Sequence, residues 1–149
     1  MNDIERLLIA NACRDLIYRY AYLNDERDFE GLADLFTEDA VFYRPSAPDQ
    51  AITGRTAILT SFNARPTGTA TFHVCSDVVI DVESPQRAQA RSRILLLSGP
   101  RSVDGSHPEP STLKPLLPGT FRDEIALTAR GWKFSRRMGS LWIPVARST

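Results

Sequence analysis

The feature that most constrains this chain is a change of hydrophobic period along it. Over residues 3 to about 24, Leu8, Ile9, Ala12, Cys13, Leu16, Ile17, Tyr20 and Leu23 recur at three- and four-residue steps, and Asn11, Arg14 and Asp15 fall on the other side. A helix turns every 3.6 residues, so this spacing predicts one long amphipathic helix with a single apolar stripe. From Thr71 onward the segments are rich in β-branched residues and alternate at steps of two, which predicts strands. Helices first and then a run of antiparallel strands is an α+β order, unlike the alternation that builds a parallel sheet. The helices must then cover one face of a bent sheet.

The remaining elements follow from local signals. Asp3 is the expected N-cap of the first helix, because its carboxylate can accept from the free amides of the first turn. Asn24-Asp25 breaks the helical pattern. A shorter helix is predicted from Asp28 to Phe36, with Asp28 suited to cap it and Phe29, Leu32, Ala33, Leu35 and Phe36 as its buried stripe. Asp39 to Tyr43 reads as a strand closed by Arg44-Pro45, since proline cannot donate to a sheet ladder. Gly54 to about Asn63 predicts a third helix, packed through Ile58, Leu59 and Phe62. Thr71 to Val82 and Gln89 to Leu97 read as two strands around Ser84-Pro85. Thr120 to Ala129 and Trp132 to about Ile143 read as two more around Arg130-Gly131. Between these pairs, Pro100, Pro108, Pro110, Pro115 and Pro118, with Gly99, Gly105 and Gly119, predict a long irregular loop over residues 99–119. A loop of that length is uncommon in a compact domain and is often a lid or binding element.

Composition narrows the function. The 149 residues suit a single domain covering 1–149, and an apolar content of 42% supplies one core. Eighteen basic side chains balance eighteen acidic ones, which argues against a nucleic-acid partner needing a clustered basic face. Near-neutral charge also lowers the barrier to self-association without specifying an oligomer; a homodimer or homotrimer is the expectation. Cys13 and Cys75 have neither a CxxC spacing nor companion histidines, so they read as buried free thiols. No metal and no organic cofactor is expected, because ligand clusters and glycine-rich phosphate loops are both missing from the sequence. No apolar run approaches the roughly 18 residues that cross a bilayer, and the start at Asn2-Asp3 lacks a basic-then-apolar leader. A cytoplasmic protein with no membrane partner is the expectation.

His73 is the most informative side chain, since the only other histidine is His107 in the proline-rich segment. Phe72, Val74, Val78, Ile80 and Val82 share one strand parity, and His73, Cys75, Asp77, Val79 and Asp81 the other. Two arrangements satisfy this pattern. Either the polar parity lines a cavity at the start of the strand, or a bulge switches faces between residues 73 and 78. A structural histidine without a chemical role fits the bare pattern equally well. Asp25 has a plain reading as a helix-end aspartate bonded to its local backbone. Arg91 and Arg93 alternate with Ser92; a solvated face is the plain reading, and an anion site for a substrate carboxylate or leaving group at Arg93 is the functional one. Cys75 shares parity with His73, but side chains two apart on one strand run parallel and do not face each other as nucleophile and base. Trp132 and Phe134 read as core, and Arg136 and Arg137 as partners of acids on neighbouring strands or of a second subunit.

Several segments fall in one order: Tyr20-Ala-Tyr-Leu-Asn-Asp25-Glu-Arg-Asp28-Phe29, then Leu35-Phe36-Thr-Glu-Asp39-Ala40-Val41-Phe42, then Gly54-Arg55 opening a helix. Phe72-His73, Arg122-Asp123-Glu124 and Gly131-Trp132-Lys-Phe134-Ser-Arg136-Arg137 complete the series. In this series the chain resembles the SnoaL-like group of the NTF2-like superfamily over nearly its whole length except residues 99–119. The resemblance implies an α+β cone in which a strongly curved, mostly antiparallel sheet and helices enclose a small-molecule pocket. Members of this group include scytalone dehydratase, lindane dehydrochlorinase, polyketide cyclases and ketosteroid isomerase, so the fold alone does not choose a reaction. In the dehydratase and dehydrochlorinase a strand histidine pairs with an aspartate after the first helix, and the matching positions here are His73 and Asp25. Tyr43 matches a pocket tyrosine of the dehydratase. The dehydratase's second pocket histidine has no counterpart in Gln89 to Leu97, and Asn24 stands where it has a tyrosine.

The resemblance therefore implies a cofactor-independent lyase or isomerase of dehydratase type acting on a small apolar or aromatic molecule. His73 would be general base, Asp25 its orienting partner and Tyr43 a bond to a substrate oxygen, with Tyr20, Asn24 and Arg93 as substrate-binding residues. A different class is also compatible: a non-catalytic ligand-binding or assembly subunit like the β subunit of aromatic-ring dioxygenases.

Overall fold

The computed structural model describes residues 1–102, 114 and 116–143. Its order is α1 (Asp3–Glu26), α2 (Phe29–Asp34), β1 (Phe36–Arg44), β2 (Ala47–Thr53), α3 (Arg55–Asn63), β3 (Thr69–Ser84), β4 (Arg87–Pro100), β5 (Leu117–Thr128) and β6 (Gly131–Leu141). The strands form one six-stranded sheet in the order β2-β1-β6-β5-β4-β3. Every neighbouring pair is antiparallel except β1 with β6, which is parallel. This is the α+β, NTF2-like cone, its helices lying across the concave face of the sheet.

The long first helix forms, burying Cys13, Leu16, Ile17 and Tyr20 of its predicted stripe together with Ala21, while Leu8 at the start of that stripe stays 64% exposed. Its cap is Asn2 rather than Asp3: the Asn2 side chain accepts from the Glu5 amide, and the Glu5 carboxylate accepts from the Asn2 amide. This reciprocal box satisfies two otherwise free donors, which an aspartate one residue later would not do. Asp28 does cap α2, accepting from the Gly31 amide at 2.9 Å.

Strand β2 answers to no apolar alternation in the sequence. It is an exposed edge strand that exists because the chain reverses at Pro45-Ser46 and pairs back on β1. The long irregular segment expected over residues 99–119 is shortened at both ends. Gly99 and Pro100 close β4, and Leu117, Pro118 and Gly119 open β5 by pairing with Leu96, Leu95 and Ile94. Most of the segment, His107 included, lies outside the described residues.

The parity problem at His73 is resolved by a bulge. Between the pairs Ser76↔Arg93 and Val79↔Arg91, β3 advances three residues while β4 advances two. Asp77 takes the extra turn with φ 51°, a left-handed conformation that aspartate tolerates better than most residues. Thr71, His73 and Cys75 point inward before the bulge, and Val78, Ile80 and Val82 after it. Phe72 and Val74 are consequently left on the outer face.

The core is aromatic. The buried Tyr20 ring packs edge-on against Phe36, Phe42, Phe62, Phe121 and Phe134, with centroids 5.8–6.3 Å apart. A fully buried ion pair joins Arg137 to its register partner Asp123 at 2.7 Å. The Arg137 guanidinium lies 3.9 Å from the Phe121 centroid, 4.2 Å from Tyr20 and 4.5 Å from Phe134. Those ring faces supply part of the stabilisation that water would otherwise give the cation. Of the described residues, no helix is long and apolar enough to cross a membrane.

Candidate active site

The helices leave a cavity of about 180 Å³ over the concave face of the sheet. It is built where the end of α1, the segment after α3, the end of β1 and the early part of β3 meet. Phe42, Phe62, Ile94, Leu96 and Phe121 give it apolar walls. Tyr20, Asn24, Arg44, Arg65 and His73 bring polar groups to it. An apolar cavity of about 150 Å³ admits benzene, so this space suits a single ring with a short substituent.

Asp25 sits in the last turn of α1, but its carboxylate does not cap local backbone. It reaches 46 and 48 residues along the chain to β3, where it accepts from the Thr71 hydroxyl at 2.8 Å and the His73 amide at 2.8 Å. The same carboxylate lies 2.5 Å from Nδ1 of the His73 ring. β3 is an edge strand, so its outward amide would be unpaired without this helix-end carboxylate. Burial pushes Asp25 upward in pKa, but the hydrogen bonds from the His73 ring, the His73 amide and Thr71, with the His73 charge, outweigh it. The carboxyl is held below its ordinary range. An ionised Asp25 can only accept, which assigns the Nδ1 proton to His73 and leaves Nε2 as the ring's basic nitrogen.

Asn24 is buried beside Asp25, and its side-chain oxygen accepts from the Arg65 guanidinium. Arg65 follows α3, and burial lowers its pKa. Arg44, at the end of β1, donates to the Ser61 carbonyl at 2.5 Å. Both guanidinium carbons lie 5.8 Å from the Phe62 ring centroid. Burial likewise raises the Tyr20 phenol, with Arg137 and Arg65 pulling against it. Tyr20 therefore presents a neutral hydroxyl at neutral pH.

Of the residues singled out from the sequence, the structure brings His73, Asp25, Tyr20 and Asn24 to this cavity or against its lining. It does not bring Tyr43 or Arg93. Phe42 faces the core, so strand alternation sends Tyr43 to the opposite face, where the Arg136 guanidinium carbon lies 5.5 Å from its ring centroid. Ser92 is buried for the same reason, and Arg93 projects outward to an exposed pair with Asp77 at 3.4 Å. Cys75 points inward near His73, but burial raises its thiol pKa, which disfavours the thiolate. Arg44 and Arg65 are the pocket residues that sequence reasoning missed. Each reads as an ordinary charge beside a proline, Pro45 or Pro66, and only tertiary packing turns it inward. Among the described residues no group of three or more His, Cys, Asp or Glu side chains gathers as a metal cage.

A search of curated proteins gives no sequence match. Solved structures do match. A candidate scytalone dehydratase from Novosphingobium aromaticivorans is 26% identical, with a TM-score of 0.73 over 97% of this chain and 95% of that one. A protein from Catenulispora acidiphila, solved in complex with S-DNPA, is 27% identical, with a TM-score of 0.67 over 88% of this chain and 91% of that one. LinA is 23% identical with a TM-score of 0.78 over 99% and 97%, a likeness of fold. The sequence pattern of the SnoaL-like domain matches residues 5–138, and the chain belongs to the SnoaL-like family of the NTF2-like superfamily.

Proposed function

We propose that residues 1–149 form one SnoaL-like domain acting as a lyase or isomerase of dehydratase type, by side-chain acid–base chemistry on a small, mainly apolar molecule. The observation that carries this reading is the 2.5 Å contact between Asp25 and His73 Nδ1 beside a ring-sized cavity that His73 lines. Similarity to a candidate scytalone dehydratase at 26% identity supports it.

His73 Nε2 takes a proton from a substrate carbon next to a carbonyl or opposite a leaving group, becoming imidazolium. The Asp25 carboxylate stabilises that charge through Nδ1–H and keeps the ring from turning. The electron pair released from the C–H bond either expels a leaving group on the adjacent carbon, forming a double bond while the imidazolium gives its proton to a departing hydroxide as water, or passes to the carbonyl as an enolate. In the second case the imidazolium returns the proton to another carbon. Tyr20 donates a hydrogen bond to the developing oxyanion, and the aromatic walls exclude water and strengthen both interactions.

Proton abstraction can be read without knowing the physiological substrate. A panel of small cyclic ketones and β-hydroxy ketones in D2O should gain deuterium next to the carbonyl, or lose water, in the presence of the protein. His73→Ala should abolish both while retaining the far-ultraviolet circular dichroism and unfolding transition of the parent. Exchange that persists undiminished in the folded variant removes His73 from the chemistry, and a parent protein that gives no exchange above the protein-free rate favours a purely ligand-binding pocket.

A further inference from the structure

The cavity carries more positive charge than its chemistry with a neutral substrate would require. Arg44 and Arg65 both line it, and both lie over the same Phe62 ring. Their side-chain hydrogen bonds are to neutral oxygens, Ser61 C=O for Arg44 and the Asn24 amide oxygen for Arg65. Neither forms an ion pair with a carboxylate among the described residues. Asp25, the acid whose charge acts on Arg65, is already engaged by His73 and Thr71. With His73 neutral, Asp25 together with the two arginines leaves the site with a surplus of one positive charge.

A partly buried guanidinium without a counter-ion is costly, because lost hydration is not replaced by an opposite charge. Fully buried Arg137 shows the contrast, with Asp123 as its partner at 2.7 Å. In the cavity wall the corresponding partner is missing from the described protein. Guanidinium groups present paired donors that match the two oxygens of a carboxylate.

We propose that the cavity takes a small acid, a single ring or compact apolar body bearing one carboxylate, which Arg65 holds with Arg44 beside it. The apolar body lies against Phe42 and Phe121, and the carbon to be deprotonated faces His73. This names the substrate class of the site and rests on the reading of that site as catalytic, but it is tested by binding alone.

The experiment is calorimetric titration with phenylacetate and its neutral isostere phenylacetamide, in the parent protein and in Arg65→Gln and Arg44→Gln. A charge-assisted bond gained only by the acid should make phenylacetate bind about tenfold or more tightly than the amide in the parent. Arg65→Gln should erase most of that preference, and Arg44→Gln part of it, with the acid affinity falling much further than the amide affinity in both. Retained amide binding also shows that each variant keeps its cavity. Equal binding of acid and amide to the parent overturns the proposal, as does a preference that survives both substitutions. Repeating the titration in His73→Ala separates the two ideas. An acid preference there with no deuterium exchange in the parent sinks the catalytic reading alone, and exchange without an acid preference sinks this one alone.

Discussion

Replacing Asp25 by asparagine removes one charge and almost no volume, and the geometry dictates where the new amide must point. The carboxylate accepts three bonds: from the Thr71 hydroxyl and His73 Nδ1 on one oxygen, and from the His73 backbone amide on the other. Asparagine keeps one oxygen. If that oxygen faces Nδ1, the new NH2 faces the His73 amide, donor against donor, and an unpaired backbone donor costs about 1–3 kcal/mol. If it faces the backbone amide, the NH2 meets Thr71 and Nδ1, both of which can become acceptors. The hydroxyl rotates, and the imidazole moves its proton to Nε2. The second arrangement is preferred because the backbone amide alone cannot change role. Asp25→Asn should therefore fold, losing about 1–3 kcal/mol as charge-assisted bonds become neutral ones. The lower half of that range is expected, since the Asp25 side chain keeps 21% of its exposure. With Nε2 protonated the general base is lost, which corresponds to about 10²–10⁴ in turnover. Nitrogen-15 spectra of the His73 ring read the tautomer directly, with no substrate needed. The parent should show a protonated Nδ1 and the variant a protonated Nε2. A variant that folds and keeps the Nδ1 proton refutes the argument.

The remaining predictions concern the interior and its pH response. Arg137→Met strands Asp123 in a fully buried site and should cost about 3–5 kcal/mol in denaturant unfolding; Asp123→Leu with Arg137→Met should recover most of that. A double variant no more stable than the single one would show that the arginine's packing on its three rings, rather than the ion pair, is what matters. Asp25 is held below the ordinary carboxylate range, so its stabilisation is complete above about pH 4 and is lost as pH falls through its folded value. Acid-limb unfolding should thus be shallower in Asp25→Asn than in the parent. Burial raises Asp123 to about 6 against the pull of Arg137, so its contribution has the opposite sign: present below about pH 4 and lost as pH rises toward 6. Parallel stability profiles of the parent and Asp123→Asn over that interval would remove this term. Gly139→Ala would bring a Cβ within 2.6 Å of the Pro45 ring, forcing β6 from the turn that starts β2. A loss of about 1–3 kcal/mol in unfolding free energy is expected, and an unchanged transition would show that the turn gives way freely.

Much of this architecture follows from local sequence, because periodicity and capping act over a few residues. The stripe from Leu8 to Leu23 determines α1, the β-branched alternation determines β3, and Asp28 caps the helix it precedes. Paired strands place Arg137 directly opposite Asp123, as an arginine seeking an acid on the next strand should be. The site was only half legible, because each missing fact depends on distance in sequence. Asp25 looks like any helix-end aspartate until the bent sheet brings the edge of β3 to it. His73 faces inward only because one extra residue at Asp77 turns the strand over, and a period of two makes every face assignment hostage to such a slip. The same alternation sends Tyr43 and Arg93 outward. Arg44 and Arg65 turn inward because helix, strand and turn converge on Phe62, a meeting that no short window of sequence contains. Local pattern thus determined the elements, and the resemblance to the family implied that they would enclose a pocket; tertiary packing alone decided which charges line it, because side-chain direction is set by partners far along the chain.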